Sequence, residues 1–251
     1  MRLSLRIVTV LLAAAGVLAA CGGPDPAPTG SAPSASPAAD QPLPTAPLTP
    51  DPATGHLMLW PFADVAAAQA WQQAHRDGGS QPWHLDAEAT ALGFAQGYLG
   101  FAEIDQVTST EGGDAEAWIG VGYTSPDSGR QVTVAVLHLV RVGTGEDAPW
   151  EVVGSRDEYL TVETPAYGAA ATWPMTVGGM ITGVDESLHV RVLSPAGPVG
   201  EFCCAPAGGE KSPWQVTVPR QAERGGDLTV VVWTGGHVAD VERFAITGVR
   251  G

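Results

Sequence analysis

Apolar residues follow four different rhythms along the chain. Ile7 to Ala20 is an unbroken run of fourteen uncharged residues. Residues 22–53 show no apolar rhythm at all. From residue 64 the spacing becomes helical. Asp64 is suited to cap a helix and Gly78-Gly79 to stop it, which predicts a helix over 65–77. Asp86 caps a second one, in which Leu92, Ala95 and Leu99 recur at three- and four-residue intervals before Gly100 ends it. The period then falls to two. Ala117, Ile119, Val121 and Tyr123 alternate with other residues, and Pro126-Asp127-Ser128-Gly129 marks a turn. Over 131–142, Val132, Val134, Val136, His138, Val140 and Val142 share one face; Thr133, Ala135, Leu137 and Leu139 share the other. Runs at Trp150–Val153 and Tyr159–Val162 continue the strand pattern.

The last third keeps the two-residue period. Apolar runs lie at Thr176–Val184, at Leu188, Val190 and Val192, at Trp214, Val216 and Val218, over Leu228–Trp233, and over Phe244–Val249. Gly and Pro separate them, as in a β-sandwich of about seven short strands. Two domains are therefore expected. Residues 55–160 read as an N-terminal α+β domain, two helices on an antiparallel sheet. Residues 161–251 read as an all-β immunoglobulin-like sandwich.

The opening run changes where this fold is placed. Arg2 and Arg6 precede it, and Leu18-Ala19-Ala20-Cys21 ends it. Fourteen helical residues span about 21 Å, short of the ~30 Å hydrocarbon layer of a bilayer. The run therefore fits a cleavable leader over 1–20 better than a membrane span. Small residues before the cut and a thiol after it resemble the lipobox of bacterial lipoproteins. That resemblance implies diacylglycerol on Cys21 and an anchor on the extracytoplasmic face of the cell membrane. Residues 22–53 hold ten of the 21 prolines and no aromatic residue, so they cannot bury enough apolar surface to offset ordering entropy. Residues 21–54 thus read as a disordered Pro/Ala-rich tether.

Charge narrows the partners. Of twelve Lys and Arg, Arg2 and Arg6 precede Cys21, so against 27 Asp and Glu the chain beyond the leader carries −17. Nucleic acid is excluded as a partner held through phosphate contacts. The expected partners are the membrane, through the lipid on Cys21, and an envelope protein or glycan.

Candidate chemistry is sparse. The order of elements in 55–160 suits a cone-shaped or cystatin-like sheet, and cones hold pockets. His138, with Glu103, Asp105 or Glu116 from neighbouring strands, is the candidate acid–base pair; a buried core histidine is the competing reading. Trp60-Pro61-Phe62, Pro82-Trp83 and Pro149-Trp150 read as bulky plugs or as a glycan platform. Cys203 and Cys204 are adjacent. A vicinal disulfide, buried free thiols, and a redox or metal role with His189 or His237 all stay open. No zinc spacing, phosphate loop or nucleophile motif occurs. The expectation is accordingly no catalytic residue, no metal and no cofactor.

Glu163-Thr164-Pro165, then Trp173-Pro174-Met175-Thr176-Val177-Gly178-Gly179, then the strand from Leu188 and the run Leu228–Thr234 resemble the bacterial spore germination immunoglobulin-like domain. The resemblance implies an extracytoplasmic adhesion or scaffold domain without catalytic residues. The whole arrangement is similar to lipoproteins of actinobacteria.

Overall fold

A computed structural model describes residues 55–79 and 81–251, except for the side chains of 184–186. Cys21, the expected leader and the expected tether lie outside the described residues. The fold is mostly β, with two four-stranded antiparallel sheets and few helices. No helix among the described residues is long and apolar enough to cross a membrane.

Helix α1 (Val65–Arg76) begins where Asp64 accepts a hydrogen bond from the Ala67 N–H, and the chain turns out at Asp77. Helix α2 (Ala87–Gly93) is capped by Asp86, which accepts from the Glu88 and Ala89 N–H groups. It runs into a wider turn over Phe94–Tyr98. Only this second element lies on the first sheet, through Ala91, Phe94, Ala95 and Leu99. Helix α1 instead covers a small separate cluster of Met58, Phe62, Ala68 and Val142.

The first sheet has the order β1 (Gln106–Gly112), β2 (Glu116–Thr124), β3 (Gln131–Arg141), β4 (Trp150–Arg156). Strand β1 carries no signal in the sequence: an edge strand of Thr, Ser and Glu buries little and shows no alternation. The even alternation expected along 131–142 is broken. A bulge in the β2–β3 ladder pairs Val121 with Ala135 and Gly122 with Thr133, so Val134 is the extra residue. Val134, Ala135, Leu137 and Leu139 all enter the core as a result.

The second sheet has the order β6 (Gly197–Val218), β5 (Met175–Ser194), β7 (Leu228–Thr234), β8 (Arg243–Val249). In place of many short strands, β5 and β6 form one long ribbon. Its ladder is irregular between Ile181 and Glu186, where Gly209 and Lys211 take positive φ. Met175, Val177, Val216 and Val218 from one half then meet Val190, Val192, Val230 and Val232 in one core. The ribbon thus folds over to supply both layers. Its outer strand carries Pro198, Pro206 and Pro213, a placement that an edge strand tolerates.

A larger core joins segments from both sides of residue 160. Leu57, Leu59, Phe94, Ile119, Leu137 and Val152 share it with Val231, Trp233, Phe244 and Ile246. The Ile246 N–H donates to the Ser155 hydroxyl at 2.9 Å. A side chain at Gly248 would meet the Leu59 side chain at 2.8 Å, which shows how closely residues 57–59 pack on β8.

The Pro–aromatic motifs are plugs in this arrangement. Trp60 stacks on Trp83 at 5.4 Å and packs on the first core. Trp150 is buried beneath the Arg141 guanidinium. His84 is buried within rings from Trp83, Phe62 and Trp71. Burial lowers its pKa to about 4.

Candidate functional site

Three groupings of side chains bear on function. The first contains His138. In the β2–β3 register it stands opposite Trp118, and the rings lie parallel at 4.1 Å. The Arg156 guanidinium sits 4.6 Å over the same indole. Of the three carboxylates expected near His138, Glu116 reaches it, with Oε1 2.7 Å from Nε2. Glu103 and Asp105 line a different cleft with Gln106 and Tyr123. Burial lowers the His138 pKa; the Glu116 hydrogen bond opposes the shift and His56 adds to it. The ring is only 9 % exposed. An imidazole beside a carboxylate can take a proton, but this ring is occupied by Trp118, Glu116 and His56.

The second grouping adjoins the first on the same side of the sheet. A cleft of about 550 Å³ is lined by Thr133, Val136, Arg156, Asp157, Glu158, Tyr159 and Arg243. Asp157 organises it. One carboxylate oxygen accepts from the Tyr159 and Leu160 N–H groups, each at 2.7 Å, and the other accepts from Arg243 at 2.6 Å. The Arg243 guanidinium lies 4.6 Å over the Tyr159 ring, which stays 50 % exposed. Arg156 is neutralised by Glu111 at 2.6 Å. The lining thus offers an aromatic face, a threonine hydroxyl, the Glu158 carboxylate and two paired guanidinium groups. Sequence reading missed this site. Asp157 and Arg243 are 86 residues apart, and no local spacing announces their meeting.

The third grouping holds the adjacent cysteines. Cys203 and Cys204 are bonded to each other, and both are exposed. A bulge again decides the geometry: Leu188 pairs with Ala205 and His189 with Cys203, leaving Cys204 as the extra residue. Both sulfurs therefore approach one histidine. Cys204 Sγ lies 3.6 Å from His189 Nδ1. His189 also stacks on Trp233 at 5.0 Å, under the Arg191 guanidinium, which Glu201 pairs at 3.2 Å. Burial is the main influence lowering the His189 pKa. Among the described residues, His189, Cys203 and Cys204 are the one trio of His, Cys or carboxylate side chains whose donor atoms converge, all within 4.8 Å of one another.

Comparison with protein-family models, with curated proteins and with solved structures finds no match to the chain.

Proposed function

We propose that the chain is an extracytoplasmic lipoprotein, held to the cell membrane by lipid on Cys21, whose folded part binds an envelope protein or glycan without catalysing a reaction. Residues 1–20 serve as the leader and 21–54 as the tether. Residues 55–160 form an α+β module. Residues 161–251 form an immunoglobulin-like module of the kind that the Trp173–Gly179 motif resembles, and the doubled-over β5–β6 ribbon is consistent with a two-layer sandwich. No cofactor is invoked.

The observation that carries the binding reading is the cleft at Tyr159. An exposed ring beside fixed guanidinium groups and a hydroxyl suits recognition of a peptide or sugar surface. A second reading, proton-transfer chemistry at His138, has the 2.7 Å contact with Glu116 in its favour.

Two measurements test the proposal. The full chain and its Tyr159→Ala variant are incubated with purified cell envelopes and sedimented. A weakening of about tenfold, ~1.4 kcal/mol, is the expected result, and equal sedimentation of both would remove Tyr159 from the binding face. Cys21→Ser should release the protein into the medium; retention on the membrane would refute the anchor.

A further inference from the structure

We propose that His189, Cys203 and Cys204, once the cysteines are reduced, form a binding site for one soft cation, with Cu(I) as its best-matched occupant. The β5–β6 ladder carries the argument. In a regular strand adjacent side chains point to opposite faces, so neighbouring cysteines cannot normally serve one ligand together with a residue across the ladder. Here Cys204 is the bulged residue, and the sulfurs of both cysteines lie near the His189 ring. The three donor atoms lie within 4.8 Å of one another, with Nδ1 already 3.6 Å from Cys204 Sγ. A metal about 2.3 Å from sulfur and about 2.0 Å from nitrogen needs trigonal ligands roughly 4 Å apart, a spacing near that of the Cys204–His189 pair, and the two sulfurs must separate.

The chemistry of the donors selects the metal. Two thiolates and an imidazole are soft ligands, unsuited to Ca²⁺ or Mg²⁺. Three ligands complete the coordination of Cu(I), whereas tetrahedral Zn²⁺ wants a fourth. The His189 ring is fixed by Trp233 behind it, which orients Nδ1 before any ligand arrives. Both cysteines are exposed, so metal and reductant reach them without unfolding.

Oxidation state gates the site. In the bonded form neither sulfur is a thiolate. A low-molecular-weight thiol opens it by exchange: two molecules of the thiol lose one proton and one electron each and leave as their disulfide, while Cys203 and Cys204 gain both as two thiols. Binding of Cu(I) then releases the two thiol protons. Sequence spacing alone points away from a metal, because the ligands come from two strands and only the bulged register joins them.

The test is anaerobic competition between the full chain and a chromophoric Cu(I) chelator. Cys21→Ser is present in every sample, so that Cys203 and Cys204 are the only thiols. The reduced chain should withdraw one Cu(I) per molecule and show a thiolate-to-copper charge-transfer band; the oxidised chain should withdraw none. Cys203→Ser and Cys204→Ser should each weaken binding at least 100-fold, and His189→Ala at least tenfold. His189→Gln repeats the last arm with a side chain of similar bulk, and circular dichroism confirms the fold of each variant. Equal uptake by oxidised and reduced protein, or uptake unchanged in both folded His189 variants, would overturn the site. Tighter retention of Zn²⁺ than of Cu(I) against matched chelators would overturn the assignment of the metal.

Discussion

Acidification tests the ring-lined environment of His84. The imidazole is 4 % exposed and lies 3.6 Å from the Trp83 ring, 4.9 Å from Phe62 and 4.9 Å from Trp71. Its Nε2 meets only Gln81 Oε1 at 3.3 Å, and its Nδ1 has no partner. A charge there loses its hydration without gaining a counter-ion, which is why the pKa falls from 6.5 to about 4. The unfolded chain then binds a proton at His84 that the folded chain refuses. Stability contributed by the neutral ring is complete above pH 6.5 and is lost as pH falls from there towards 4. Between pH 7 and pH 5 the loss amounts to about 2 kcal/mol at 1.36 kcal/mol per pKa unit. Urea unfolding of the full chain and of His84→Gln at both pH values isolates this contribution, because other titrating groups cancel in the difference. The gap between the two proteins should shift by about 2 kcal/mol in favour of the variant at pH 5. A shift below ~0.5 kcal/mol, or an NMR titration placing the folded His84 near 6.5, would refute the reasoning.

Two further outcomes follow from burial. Phe244→Ala removes a fully buried ring from the core shared across residue 160 and should cost roughly 3–5 kcal/mol. Tryptophan fluorescence and far-ultraviolet circular dichroism should report this as one displaced transition; two transitions, only one of them displaced, would deny the shared core. Glu151 is fully buried, with one carboxyl oxygen accepting from the Phe62 N–H and the other without a partner. Burial raises its pKa well above the usual value, so the folded state holds a proton that the unfolded state has released, and stability falls as pH rises above the carboxylate range. Glu151→Gln should therefore gain on the native protein between pH 5 and pH 8 in urea unfolding, and a constant difference would contradict the burial argument.

Periodicity revealed much of the element order and little of the assembly. Asp64 and Asp86 cap helices because a short carboxylate beside free N–H groups acts locally, and that signal is written in adjacent residues. The runs at Glu116–Thr124 and Leu228–Thr234 are strands for a comparably local reason, since their alternation or continuous apolarity reports burial. Gln106–Gly112 is a strand only because β2 supplies its partner. Thr176–Val184 and the run from Leu188 read as separate strands because the polar Asp185-Glu186-Ser187 stands between them; tertiary pairing with β6 carries β5 across the gap. The site at Tyr159 was illegible because Arg243 arrives from β8. The convergence on His189 depends on a ladder bulge, which residue type alone does not encode.

The prolines of β6 bear on how copies of the chain behave when crowded. An open sheet edge is a template on which a neighbouring molecule can extend the ladder into a fibre. Pro198, Pro206 and Pro213 remove three amide donors from the edge strand β6, at intervals of eight and seven residues. Proline on a long edge strand is one of the devices by which a sheet discourages pairing with a neighbouring copy.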